Sequence, residues 1–228
     1  AGDVAFDAGL RSHMLKVYNY MASGVLLTGI VAMLFAQTEL AKNLMLNPSL
    51  MSWVIILSPL VVVMVMSFGQ GKFSAATLQA MFWGFAVLMG LSLARIFMMF
   101  TGESIAQTFF ATSAAFAGLS LYGYTTKKDI SGWGSFLVMG VIGLLVAMVI
   151  NWFLQSPAMM YAISMLGVLI FAGLTAYDTQ NIKNSYLAHA HHGDQEWLDK
   201  SAIHGALNLY LDFLNMFQFL LMFMGSSE

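Results

Sequence analysis

Two aspartates stand where a carboxylate is expensive. Asp178 lies in "GLTAYDTQNIK" (173–183) and Asp212 lies in "LNLYLDFLNMFQFLLMF" (207–223), both nearly free of other charge. Ionisable side chains in such runs are rare, face protein or water rather than lipid, and are functional candidates by default. If these two meet, their chemistry follows. Two carboxylates with little water around them cannot both ionise cheaply, so the pair shares a proton over some range of pH. The protonated pair is held by a strong hydrogen bond, whereas the doubly charged pair repels or draws in a cation. Such a pair works as a proton switch, a cation site, or both. Calcium prefers hard oxygen ligands, and two carboxylates helped by backbone carbonyls and water would make a weak calcium site. The residues themselves do not choose among cations.

Whether the two meet depends on the hairpin between them. Its turn signal is His192-Gly193-Asp194, with Asp178 15 residues before Gly193 and Asp212 19 after it. At about 1.5 Å per residue their heights differ by roughly one helical turn. The carboxyls can then touch if the first helix continues past Ile182 and the second starts near Glu196. If the helices stop at Lys183 and Lys200, the two sit at different depths. The second helix adds a polar stripe: His204, Asn208, Asp212, Asn215 and Gln218 recur at spacings of four, four, three and three. That is one face of an α-helix. It suits a helix facing the bundle interior or a wet cavity, or hydrogen bonds that glue helices together.

The elements that must position these residues are membrane spans. The 228 residues are 59% hydrophobic and 9% charged, with mean hydropathy +0.77, against about 25% charge in a typical soluble domain. A water-soluble fold could not clothe that much apolar surface. A span needs about 20 apolar residues, and seven runs qualify: roughly 17–36, 51–68, 75–99, 105–124, 133–154, 158–180 and 201–224. We therefore expect an all-α membrane protein, a single integral membrane domain over 1–228. A re-entrant last run would leave six spans, but its 24 residues favour a full one. The connectors are polar, among them "QTELAKNLMLNPSL", "GQGKFS" and "TTKKDISG". Arg11, Lys16, Lys72, Lys127, Lys128, Lys183 and Lys200 fall on the side of the N-terminus, against Lys42 and Arg95 opposite. The positive-inside rule then puts the N-terminus in the cytoplasm. Small residues, as in "SAAFAGLS" and "GVIGLLVA", let helices approach closely. Nineteen methionines suit adaptable packing.

Other residues carry less. Arg95 can snorkel to the interface and pair with Glu103. His189, His191 and His192 are metal-like in type, but their loop is polar and lacks helical metal-site spacing. With no cysteine, disulfides and thiolate sites are excluded. With net charge −2 and no charged block, nucleic acid is an unpromising partner. We expect neither a cofactor nor an enzyme. An intramembrane aspartyl protease would need Gly-x-Gly-Asp at the second aspartate and a Pro-Ala-Leu segment. Here Leu209, Tyr210 and Leu211 precede Asp212, and the prolines are Pro48, Pro59 and Pro157. A retinal protein would need a Schiff-base lysine, and the run 201–224 contains none.

Three segments together, "SLYGYTTKKDISGWGSFLVMG" (120–140), "AYDTQNIK" (176–183) and "LNLYLDFLNMFQFLL" (207–221), resemble the Bax inhibitor-1, or transmembrane Bax inhibitor motif, family. The likeness runs from "YNYMASGVLLTG" in the first span to the last span, and the chain looks like a bacterial member. The resemblance implies six helices around a central seventh, and a bacterial inner-membrane location. It further implies a pH-sensitive calcium leak governed by an aspartate pair on the last two helices, whose positions Asp178 and Asp212 match. Some relatives latch the pair with a basic residue after the second helix. Lys72 in "SFGQGKFS" is the candidate here, although a lysine lacks the fork of an arginine. The alternative it implies is an interaction protein that modulates a membrane-bound AAA protease or another membrane complex. The resemblance implies that Asp212 favours the ion-handling branch.

Overall fold

Polar caps and prolines decide where the apolar runs become helices. In the computed structural model, which describes residues 2–225 and the side chains of 8–225, the elements are all helical. They are α1 (Gly2–Ala36), α2 (Glu39–Leu46), α3 (Leu50–Phe68), α4 (Ala75–Met99), α5 (Gly102–Thr125), α6 (Trp133–Leu154), α7 (Pro157–His189) and α8 (Gln195–Met224). Seven of them, all but α2, are long and apolar enough to cross a membrane, and no strand occurs among the described residues. The starts of α3, α4 and α5 are set by Ser49, Ser74 and Thr101, whose hydroxyls accept the N–H of Ser52, Thr77 and Ser104. Such caps satisfy amides that have no partner within the helix.

The structure differs from the sequence reading at three places, the first being α1, which begins at Gly2 rather than near 17. The connector 37–50 is not simply loop: Thr38 caps α2 by accepting the Ala41 N–H at 3.1 Å, and Pro48 stops it by restricting Asn47 to an extended conformation. The helices of the last hairpin also run beyond their apolar stretches, α7 to His189 and α8 from Gln195. Polar residues there extend the helices, because nothing in "NSYLAH" or "QEWLDK" breaks one. The turn closes as expected around Gly193, whose N–H donates to His189 O at 2.9 Å. Asp194 caps α8 by accepting the Trp197 N–H at 2.9 Å.

The chain gathers into two compact units. The first holds the chain up to Phe100 together with Tyr186–Tyr210; the second holds Thr101–Ser185 and the chain from Leu211 on. In the first unit α1 packs on α4, and α4 on α3. Pro59 lies inside α3 and cannot donate to Ile55 O. Hydroxyls replace the missing donor: Ser58 Oγ and Ser92 Oγ of α4 both donate to that carbonyl at 2.9 Å. The tip of the hairpin is tied to its neighbours by charge. Lys16 pairs with Asp199, and Glu196 Oε1 accepts the Ala75 N–H at the start of α4 at 2.7 Å.

In the second unit α5, α6, α7 and α8 close on one another through small residues. At Gly123 on α5 a Cβ would fall 2.2 Å from the Ala176 carbonyl oxygen, so α5 meets α7 backbone to backbone. At Gly167 a Cβ would meet the ring of Phe219 at 2.6 Å. The motif "GVIG" is only half used, because Gly140 faces Ile170 while Gly143 faces open space, as does Gly118 of "SAAFAGLS". Composition could not tell which small residues face helices and which face outward.

Candidate functional site

Helix α7 turns polar over Asp178–Lys183, where Thr179, Gln180 and Lys183 are each set against a definite partner. Thr179 meets Ser120 of α5 at 2.8 Å. The amide of Gln180 grips the α5–α6 turn from both ends of its dipole: Oε1 accepts the Ile130 N–H at 2.9 Å and Nε2 donates to Lys128 O at 2.8 Å. Lys183 Nζ donates to Tyr124 O at the end of α5 at 2.8 Å. These bonds fix the rotation and height of α7 around Asp178.

Helix α8 presents Asp212 to the same unit. Of the apolar window of α8, 56% is buried, against 17–28% for the other six spans, so a charge here lies deep in protein. Asp212 itself is 4% exposed. The next residue, Phe213, anchors α8 to α5, sitting edge-on to both Phe109 and Phe116 with ring centroids 5.6 Å away. Asp212 Oδ2 is buried and receives no hydrogen bond from an N–H or hydroxyl group. The ionisable group acting on its carboxyl is that of Asp178 on α7. The condition set by the hairpin is therefore met, because both helices continue through the polar stretch on either side of the turn. Asp178 is half-buried, so the pair has one enclosed member and one partly accessible member.

The other expected residues divide. His204, Asn208, Asn215 and Gln218 all lie on α8 and are all half-buried, between positions that are fully buried. All five positions thus fall on one helix, with Asp212 the enclosed member. Lys72 lies exposed in the turn between α3 and α4. It is not among the ion pairs of the described residues, which are Lys16–Asp199 and Lys42–Glu39. Arg95 is exposed near the end of α4, and Glu103 accepts from Gln107 Nε2 at 3.1 Å. Among the described residues no three His, Asp or Glu side chains converge as a metal site. The loop histidines pack instead, His189 edge-on to Trp197 at 5.9 Å and His191 against His192 at 4.0 Å. Calcium at the aspartates would need carbonyls and water to complete its shell.

Sequence reasoning missed the buried face of α5. It consists of Thr108, Thr112, Phe116, Ser120 and Gly123, and Thr108 Oγ1 is a second buried oxygen without a hydrogen-bond partner. The signal was present as small polar residues at 108, 112 and 120, multiples of four apart. It was masked by the general abundance of Ala, Ser and Thr in that span.

Comparison with known proteins extends this picture along the chain. The family model described as "Inhibitor of apoptosis-promoting Bax1" matches residues 10–228. A protein of Caulobacter vibrioides is 44% identical over 236 aligned residues, covering 99% of this chain and 93% of its own length. The "Inner membrane protein YbhL" of Escherichia coli K12 is 42% identical over 219 residues, covering 96% of this chain and 93% of its own. An "Uncharacterized membrane protein" of Streptococcus pyogenes is 34% identical, with 97% and 96% covered.

Proposed function

The chain belongs to the Bax inhibitor-1 family, and from that premise we propose that it is a pH-sensitive cation leak pathway, carrying calcium and gated by Asp178 and Asp212. It is an integral protein of the bacterial inner membrane, with seven apolar spans and a relative named for that membrane. The observation that carries the reading is the enclosed carboxyl pair. Asp212 is buried, lacks any N–H or hydroxyl donor at Oδ2, and has Asp178 as its polar neighbour.

The proposed gate follows from the charge states. With a shared proton, the carboxyls hydrogen-bond and hold α7 to α8 through the second unit. When that proton leaves, two anions face each other in a poorly hydrated site, where repulsion is weakly screened. The helices loosen, or a cation enters and neutralises the pair. Beside Asp212 in the second unit, the half-buried Asn215 and Gln218 give a cation further oxygen partners on α8. Leak therefore increases as pH rises through the titration of the pair. The lysine and arginine distribution supports a cytoplasmic N-terminus.

The test is calcium flux into proteoliposomes across pH, comparing the native chain with Asp212→Asn. An amide keeps the shape and cannot lose a proton at these pH values. The native chain should respond to pH and the variant should not. Equal flux in both, or none in either, sinks the leak mechanism. The competing reading, a modulator of a membrane protease, would be favoured if Asp212→Asn left a protease partner's activity unchanged in the same membranes.

A further inference from the structure

The turn between α5 and α6 carries two lysines in a setting that the leak reading does not use. It runs from Thr126 to Gly132, too few residues to leave the membrane boundary, because α5 ends at Thr125 and α6 begins at Trp133. Lys127 and Lys128 are both exposed. Exposed aromatic side chains flank them, Tyr122 on α5 and Trp133 on α6, in the manner of residues that settle at the headgroup level.

The turn is also unusually well held. Gln180 bonds both the Lys128 carbonyl and the Ile130 amide. Ile130 is buried beneath the turn, and Lys183 closes the end of α5 at Tyr124 O. The backbone on either side of the lysine pair is thus held before any ligand arrives, which lowers the entropic cost of binding. The one acid in the turn is engaged elsewhere: Asp129 Oδ1 accepts the Ser131 N–H at 3.0 Å, just before α6. The turn keeps two positive charges facing outward.

We propose that the α5–α6 turn is a binding site for the headgroups of anionic phospholipids, with Lys127 and Lys128 as its phosphate contacts and Gln180 as the residue that positions them. Basic residues beside a membrane span attract acidic lipids, and each lysine near the surface enriches them roughly fivefold. The opposite end of α6 supplies an internal control. It ends at Leu154, followed by Gln155 and Ser156, with no charge nearby in sequence.

Because the chain contains no cysteine, a single reporter can be placed at either end of the second unit. Full-length Thr125→Cys and Leu154→Cys would each carry a bimane label and be reconstituted in phosphatidylcholine vesicles, with and without phosphatidylglycerol. Quenching by nitroxide-labelled phosphatidylglycerol is then compared with quenching by nitroxide-labelled phosphatidylcholine. We expect about fivefold or greater preference for the anionic lipid at 125 and none at 154. The preference should vanish in Lys127→Gln/Lys128→Gln and weaken in Gln180→Leu, which keeps both charges. Equal quenching at the two ends, or a preference that survives loss of both lysines, overturns the site. Displacement by inorganic phosphate beyond that by chloride at equal ionic strength also overturns it, in favour of a soluble anion. The readout needs no ion flux, so it stands or falls separately from the leak mechanism.

Discussion

Tyr210 and Asp212 lie two residues apart on α8, are both buried, and belong to different units. Tyr210, in the first unit, is 0% exposed, and its hydroxyl lies 2.5 Å from Thr28 Oγ1, which donates to Ala86 O at 2.8 Å. With the threonine proton committed to the carbonyl, the tyrosine must be the donor in the first contact. Phe82 and Phe85 stand edge-on around its ring at 6.0 and 5.3 Å. Asp212, in the second unit, has a buried oxygen without a donor and another carboxyl as its neighbour. The difference is not burial but satisfaction. A fully paired buried polar group fixes one arrangement, whereas a carboxyl pair has two, according to whether a proton is present.

The largest effect expected from disturbing this contrast is at Asp212. Asp212→Asn should abolish the pH dependence of flux, while Tyr210→Phe should leave the shape of that profile unchanged. A flattened profile in Tyr210→Phe would erase the distinction between the two regions. Next is Gly123→Val, which drives a side chain into the Ala176 carbonyl 2.2 Å from the Cβ position. It should destabilise the second unit by about 1–3 kcal/mol, seen as a lower melting temperature in detergent. Tyr210→Phe itself removes one interhelical hydrogen bond and should cost about 0.5–2 kcal/mol, measured in the same way. Smallest is Asp129→Asn in the exposed α5–α6 turn. Hydrogen bonds from the Ser131 hydroxyl, and then from its backbone, hold the Asp129 carboxyl below the usual carboxylate range. A lowered folded-state value means stability that is present above the unfolded value and lost as pH falls through the folded one. The variant should lose that small acid-side dependence, visible as a shallower fall in melting temperature at low pH.

Much of this was legible in the chain. The runs 75–99 and 133–154 coincide with α4 and α6, because an apolar stretch of spanning length has only one way to satisfy its backbone in lipid. The two aspartates and the polar line on α8 were legible for the same reason, since departures from an apolar background are conspicuous. Less legible were α2, whose start depends on the Thr38 cap, and the buried hydroxyl face of α5. Lys72 and Arg95 were conspicuous too, but charge alone names no partner. Charge type suggested partners for them, but long side chains at span ends are equally well served by solvent, and both are exposed.

Sequence alone determined the class of molecule, its seven spans and the residues worth suspecting, because hydropathy and helical period are local properties. Only the tertiary structure decided that Asp178 and Asp212 meet. That contact depends on how far α7 and α8 continue through polar sequence, on the turn at Gly193 that reverses the chain, and on the bonds of Thr179, Gln180 and Lys183 that set the rotation of α7. Each of those joins residues far apart in the chain, and no local pattern encodes their distance.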